Sequence, residues 1–328
     1  MKILITGGAG YIGSLMVKTA LDKSYEVIVA DSLERGHKDA VDPRATFMKG
    51  DLKDKKFVEE IFSKDKFDAV VHFAGYNSMA ESVSNPYIYF DNNVNTSLNI
   101  LEGMVKNKAN NFIFSSTAGV YGNPINTPIE ENHPKNPTNP YGESKLMVEK
   151  ILDWYRKIYN INFVGLRYFN ASGASLDGIL GERHFPETHL IPNAINAILN
   201  RTEFSLYGDD YQTSDGTCIR DYIHVLDLVD AHILAISKLG KEDGGFFYNV
   251  GTGQGHSNKD VLDSIKKISG SEINIKTVSR RPGDADILIA DSTLIKRELG
   301  FKPKYSDLET IVKSAWDWHK KLRIKNEK

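Results

Sequence analysis

The sequence predicts an α/β fold, a doubly wound parallel sheet with helices on both faces, and three observations carry that prediction. Short apolar, β-branched runs alternate with longer helical patterns through the first 170 residues. A glycine-rich turn from Gly7 to Gly13 joins the first run to the first helical pattern. The opening strand–helix–strand unit spans about 30 residues, the length a parallel crossover needs.

The elements follow in order. Lys2 to Thr6 reads as a buried strand, Ser14 to Lys23 as a helix, and Tyr25 to Ala30 as a second strand ending at Asp31. Phe47 to Lys49 is a short strand, Asp54 to Ser63 a helix, and Ala69 to Phe73 a strand that opens into Ala74-Gly75. Asn92 to Asn107 reads as a helix and Asn111 to Ser115 as a strand. The helix over Pro140 to Tyr159 is capped by Asn139 and begins with proline, whose missing N–H has no intrahelical partner to lose. Phe163 to Tyr168 closes this half as one more strand. Ala171 to His189 has little periodicity and reads as a loop region. Beyond it, helices are predicted over Ile191 to Asn200, Val225 to Leu239, Asn258 to Ser269 and Ser306 to Arg323, and strands over Phe204 to Tyr207 and Phe246 to Val250. The expected division is a nucleotide-binding domain over 1–170 and a smaller lobe over 171–328, some of whose segments return to pack on the first. The charged tail from Arg323 to Lys328 reads as a frayed end.

Composition limits the partners. The chain has 328 residues, with 41 basic against 43 acidic groups. A net charge of −2 gives no global reason to expect nucleic acid or an anionic membrane, so phosphate binding must come from local placement. Cys218 is the only cysteine and cannot form an internal disulfide, which points to a reducing compartment. Ile3 to Ile5 is too short for a signal peptide, and no run approaches the ~20 apolar residues of a membrane span. A cytoplasmic protein is expected.

Gly7, Gly10 and Gly13 lie between the first strand and first helix, where a dinucleotide pyrophosphate rests on backbone N–H groups at a helix N-terminus. A Cβ there would block either the tight turn or the phosphate's approach. Asp31 stands 18 residues beyond Gly13, placed to accept from an adenosine ribose. Its carboxylate would repel a 2′-phosphate, so NAD is expected rather than NADP. A P-loop is excluded because Ser14, not lysine, follows Gly13. The turn alone fits an unliganded connection equally well; strand, helix and acid in register make a Rossmann-like cofactor site.

Tyr141 and Lys145 are four apart at the start of a helix, so they share one face. An ammonium beside the phenol, with the positive ring of an oxidised nicotinamide, would favour the phenolate. Lowering a tyrosine from about 10 to about 7 takes roughly 4 kcal/mol. Thr117 follows the preceding strand at the carboxyl edge of the sheet, where its hydroxyl could share a proton with Tyr141 and a substrate oxygen. Tyr-x-x-x-Lys alone is common on solvated helix faces. Its position after a dinucleotide turn and a strand-end hydroxyl is what points to chemistry. The histidines show no metal-ligand spacing, no metal is expected, and His224 and His232 read as structural.

Thr6 to Gly13, His72-Phe73-Ala74-Gly75, Phe114-Ser115-Ser116-Thr117-Ala118 and Tyr141 to Lys145 resemble the extended short-chain dehydrogenase/reductase superfamily. Asp91 to Asn95, Leu166 to Asn170, Gly208 to Val225 and Arg280-Arg281-Pro282-Gly283-Asp284 narrow the resemblance to the UDP-glucose 4-epimerase family, over nearly the whole chain. That resemblance implies an isomerase interconverting UDP-glucose and UDP-galactose through a 4-keto sugar, with NAD retained throughout and a homodimeric assembly. It implies Tyr141 as proton acceptor, Thr117 completing the proton path, and Lys145 on the nicotinamide ribose. It further implies cofactor contacts from Tyr11, Ile12, Asp31, Ser32, Asp51, Leu52, Phe73, Ala74, Gly75, Asn92 and Phe169. Arg220 and Arg281 would meet the diphosphate, and Asn170, His189, Leu190, Tyr207 and Asp284 would line the nucleotide site. Asp51 also reads as a turn carboxylate and Asn92 as a helix cap. Arg220 and Arg281 also read as surface ion pairs, and Leu190 and Tyr207 as core.

Asn77 stands where some members of the family carry a lysine reaching the cofactor phosphates, so that charge is missing. Leu288 falls on the variable wall of the sugar pocket and neither demands nor excludes an N-acetyl group. A nucleotide-sugar 4,6-dehydratase on this scaffold needs an added acid and base after the strand-end threonine, where Ala118-Gly119 transfer no proton. A non-catalytic NAD-binding regulator is the remaining alternative, and the intact Thr117, Tyr141 and Lys145 speak against it.

Overall fold

The opening strand β1 (Lys2–Thr6) turns Ile3 and Ile5 to one apolar layer and Leu4 to the other, because successive strand side chains alternate. Both faces are covered, which is why the strand reads as a continuous apolar run. The structure is a computed structural model that describes residues 1–281 and 283–326; Pro282 of the diagnostic run and the terminal Glu327 and Lys328 lie outside the described residues.

From β1 the chain passes through α1 (Tyr11–Asp22), β2 (Glu26–Asp31), β3 (Thr46–Lys49), α2 (Lys55–Lys64), β4 (Ala69–His72), α3 (Met79–Ser84) and α4 (Pro86–Asn107). It continues through β5 (Asn111–Thr117), α5 (Pro140–Tyr159) and β6 (Asn162–Tyr168). The later half adds β7 (Asn170–Ser172), α6 (Leu190–Asn200), β8 (Phe204–Tyr207), β9 (Ile219–Arg220), β10 (Tyr222–His224) and α7 (Val225–Leu239). β11 (Gly245–Val250), β12 (His256–Ser257), α8 (Asn258–Ser269), β13 (Ile275–Val278), β14 (Ile287–Leu288), α9 (Thr293–Leu299) and α10 (Leu308–Asn326) complete it.

Among the described residues one seven-stranded sheet runs β3-β2-β1-β4-β5-β6-β11, all neighbours parallel. Strand order reverses between β1 and β4, so a ligand crevice opens beyond their carboxyl ends. β11, from the later half of the chain, pairs with β6, and α7 packs beside α1. α6, α8 and α10 with β8 enclose a separate apolar core. No described helix is long and apolar enough to cross a membrane. The loop predicted over 171–189 contains the short strand β7, paired with β10, and the tail predicted as frayed is helical as far as Asn326.

Three buried histidines are fixed as neutral tautomers by their partners. Ser97 donates to the Asn93 carbonyl (2.7 Å), so its oxygen accepts from His72 Nε2 (3.1 Å) and His72 Nδ1 accepts from Thr6 (2.7 Å). His232 Nδ1 donates to the Leu228 carbonyl (2.8 Å) and its Nε2 accepts from the Tyr168 hydroxyl (2.7 Å). His224 Nδ1 accepts the Leu226 N–H at 3.1 Å. Burial lowers His72 to about 3, with Lys145 adding to the effect, and lowers His224 and His232 to about 4. The unfolded chain therefore takes up these protons first, near pH 6.5. Stability is full above that value and falls as pH drops toward 4, by on the order of 2 kcal/mol per histidine at about pH 5. Denaturant midpoints should fall between about pH 7 and pH 5 while ring ¹⁵N shifts keep all three neutral. Protonated rings in the native protein at pH 5 would contradict this.

Candidate active site

At the switch point the Gly7–Gly13 turn packs against Phe73-Ala74. Gly7 has φ +71°, and a Cβ on it would lie 2.6 Å from Ala74 N; one on Gly13 would lie 2.1 Å from the Gly7 carbonyl oxygen. Gly10 is the N-cap of α1 and offers no side-chain cap, which leaves the first-turn N–H groups of Tyr11 and Ile12 without one. A cradle that excludes side chains beside an uncapped helix start fits a dinucleotide pyrophosphate. Gly13→Ala is expected to empty the protein of NAD and to destabilise it by about 1–3 kcal/mol through overpacking. Cofactor extraction and unfolding midpoints check this, and a wild-type NAD content would count against it.

One continuous cleft of about 690 Å³ is lined by every residue the sequence singles out for cofactor, chemistry and nucleotide. In its first half, Asp31 closes β2 and accepts the Ala9 N–H at Oδ2 (2.9 Å) and the Leu33 N–H at Oδ1 (2.8 Å), which fixes its rotamer. Ser32 accepts from the Glu34 N–H (3.2 Å). Asp51 accepts the Lys53 N–H (2.8 Å), so its turn role is real, and it also borders the cleft beside Leu52. Asn92 does not cap α4. The helix starts at Pro86, and the Asn92 amide, inside it, donates to Asn93 Oδ1 (3.3 Å). Asn77 lines the cleft without adding charge.

The middle of the cleft is built by β5 and α5. Asn139 caps α5, accepting the Gly142 N–H (2.9 Å), and so sets where Tyr141 and Lys145 emerge. Lys145 is buried and donates to the Ser115 carbonyl (2.9 Å); burial lowers its ammonium to about 8. Thr117 accepts the Gly119 N–H at 3.0 Å, which leaves its own proton free for the Tyr141 oxygen or for a ligand oxygen. Burial holds the Tyr141 phenol above its ordinary range, with the Thr117 hydroxyl pulling the other way. The depression predicted from Lys145 is thus not supplied by the chain's own groups, because burial of the phenol outweighs the Thr117 hydroxyl. A bound positive ring would add to the charge that favours the phenolate. Tyr141 packs edge-on to Tyr89, ring centres 6.4 Å apart.

In the far half, Arg220 leaves β9 with its guanidinium held by the Ile219 carbonyl (2.9 Å). Arg281 donates to Asp284 (3.0 Å) and lies 5.2 Å from the centre of the exposed Tyr207 ring, two cleft residues thereby paired with each other. The ion pair read as an alternative for Arg281 therefore exists, but it lies inside the cleft. Asn170, His189, Leu190 and Phe169 also line the cleft. His189 turns its ring to Glu182, which overrides the effect of burial and raises the imidazole to about 10.

Sequence reasoning missed Asn93, whose amide grips Tyr76 N–H (2.7 Å), Tyr76 carbonyl (3.1 Å) and Ser144 (3.0 Å) and so pins the loop beneath the cofactor half. It also missed the Ser115 carbonyl, a backbone group with no signature. Cys218 lines the cleft as a buried thiol that burial pushes up, hence a neutral wall.

Residues 3–251 match the NAD dependent epimerase/dehydratase family. The UDP-glucose 4-epimerase of Lactobacillus helveticus is 47% identical over 98% of this chain and 97% of its own length. A UDP-glucose 4-epimerase from Brucella ovis, solved with NAD, superposes with a TM-score of 0.93 at 44% identity, covering 96% of this chain and 97% of its own. The Bifidobacterium longum UDP-glucose 4-epimerase, solved with NAD+ and UDP, superposes at 0.94 with 37% identity and 98% coverage of both chains.

Proposed function

The chain belongs to the NAD dependent epimerase/dehydratase family, and from that premise we propose that it interconverts UDP-glucose and UDP-galactose through a 4-keto sugar. The observation that carries the proposal is the meeting of Thr117, Tyr141 and Lys145 between a dinucleotide cradle and two arginines in one cleft. Tyr141 takes the proton of the sugar 4-hydroxyl, either directly or through Thr117, whose oxygen is anchored by Gly119. Lys145, buried and held on the Ser115 carbonyl, carries its charge toward the nicotinamide ribose and the phenol. Bound NAD would supply the reversible hydride acceptor that C4 oxidation and re-reduction from the opposite face require. Gly7, Gly10, Tyr11, Ile12, Gly13, Asp31, Ser32, Asp51, Leu52, Phe73, Ala74, Gly75, Asn92, Lys145 and Phe169 hold that cofactor. Asp31 excludes a 2′-phosphate.

Inversion requires the keto sugar to present its other face without leaving. The diphosphate must therefore be fixed while the hexose turns. Arg220 and Arg281 fix it by guanidinium forks, Tyr207 and Leu190 flank the uracil, and Asn170, His189 and Asp284 meet the ribose and phosphate. Residues 1–170 form the cofactor domain, and 171–328 supply most of the sugar-nucleotide lobe. A homodimer is supported by Met147, Trp154 and Ile158, exposed on one face of α5 at helical spacing. A cytoplasmic setting is supported by the single buried Cys218.

The test is incubation of the purified protein, without added cofactor, with UDP-glucose, UDP-galactose, UDP-N-acetylglucosamine and UDP-N-acetylgalactosamine, products separated by chromatography. Glucose–galactose exchange is expected. Turnover confined to the N-acetyl pair would move the substrate, and no turnover with NAD retained would favour a regulator.

A further inference from the structure

Among the described residues, Glu182, His184, Glu187 and His189 form a cluster that the proposed reaction leaves without a task, His189 apart. One ligand atom from each lies within 4.8 Å of all the others. His184 Nδ1 is 3.0 Å from Glu182 Oε1 and 4.0 Å from Glu187 Oε1, and His189 Nδ1 is 3.5 Å from Glu187 Oε1 and in contact with Glu182 Oε1. A tetrahedral zinc ion with bonds of about 2.0–2.2 Å separates its ligand atoms by roughly 3.3–3.5 Å, a spacing these pairs straddle.

We infer that these four side chains bind one divalent first-row transition ion, Zn²⁺ foremost, in a closed structural site. Ligation displaces the proton that Glu182 holds on His189, as metal binding to a protonated ligand must; the two carboxylates and two neutral imidazoles that then bind carry a charge of −2, which one dication cancels. The Glu182 carboxylate is buried, where an uncompensated charge is costly. An N₂O₂ donor set suits zinc better than calcium or magnesium, which take oxygen cages. All four ligands come from the protein, so no position is left for a reacting oxygen.

The surroundings say what such an ion would do. The ligands span a segment without regular secondary structure that is tied down from outside. Trp318 Nε1 donates to the Glu182 carbonyl (2.8 Å), and His37 Nε2 contacts the Arg183 carbonyl (2.9 Å). The His184 ring stands edge-on to Tyr11, centres 6.5 Å apart, and His189 is the N-cap of α6. An ion here joins the glycine turn at Tyr11 to the helix that starts with Leu190. It would hold the stretch of cleft lining that carries Glu182, His184, His189 and Leu190.

The test uses the full chain without a polyhistidine tag. Metal content of the purified protein and calorimetric titration of ZnCl₂ into chelator-treated protein are the readouts. About one equivalent is expected, together with the visible bands of tetrahedral Co²⁺ when cobalt replaces zinc. Glu182→Gln and His184→Ala should each weaken zinc binding by more than the ~10–100-fold that loss of an outer-shell partner costs. His184 is partly exposed, so His184→Asn, with an unchanged far-UV spectrum, covers the case in which Glu182→Gln fails to fold. Wild-type protein that takes up no zinc, or variants that bind it as tightly, would overturn the site. The readout is metal, not turnover, and stands whichever sugar is the substrate.

Discussion

Tyr141→Phe is expected to keep the fold and the bound NAD while kcat for UDP-galactose falls by about 10²–10⁴-fold, the range contributed by a positioned acid–base group. The substitution removes one oxygen. The ring stays edge-on to Tyr89, and Lys145 stays on the Ser115 carbonyl, so neither packing nor the cofactor half changes. The hydride step, in contrast, then has no acceptor for the 4-hydroxyl proton except Thr117, whose hydroxyl is a far weaker base. Steady-state rates alongside extracted NAD content separate the two effects. Near-wild-type kcat would mean that another group takes the proton.

The second large effect lies beneath the site. Tyr141, Lys145 and Glu149 follow one another at four-residue intervals on α5, and Glu149 accepts from Arg167 of β6 at Nε (2.9 Å) and Nη2 (2.8 Å) and from Ser116 of β5 (2.6 Å). Both charges are almost fully buried, their side chains 2% and 3% exposed. Arg167→Leu leaves the Glu149 carboxylate unpaired and should cost about 3–5 kcal/mol, while the double variant with Glu149→Leu should recover much of that loss. Denaturant unfolding of the wild type, both single variants and the double variant measures the coupling. Additive losses would show that the pair does not anchor α5.

That anchor also shows where sequence reading stops. Arg167 stands in a stretch that marks the family, yet nothing local pairs it with a glutamate 18 residues earlier on a different element. The α5 boundaries were legible because Asn139 and Pro140 state them chemically, and β1 and β2 because short apolar runs flank the first helix; α1 itself starts at Tyr11, three residues before the predicted Ser14, because Tyr11 to Gly13 read as part of the glycine turn. The start of α4 was not, since Pro86 opens it with an aromatic-rich turn that breaks helical patterning, and Asn92 imitates a cap. The two-residue strands β9, β12 and β14 have no period to read. In the site, motif side chains were legible; the Ser115 carbonyl and the Asn93 clamp were not, because one has no side-chain signature and the other acts through a loop brought near by folding. Two Glu-x-His pairs on an irregular segment likewise resemble no metal spacing until the chain curls them together.

The most direct measurement is to follow deuterium from UDP-galactose labelled at sugar C4 in unlabelled water with no cofactor added. Hydride transfer to retained NAD and back predicts UDP-glucose carrying the deuterium still at C4. Washout of the label into solvent, or product formed only when external NAD is supplied, would contradict the account.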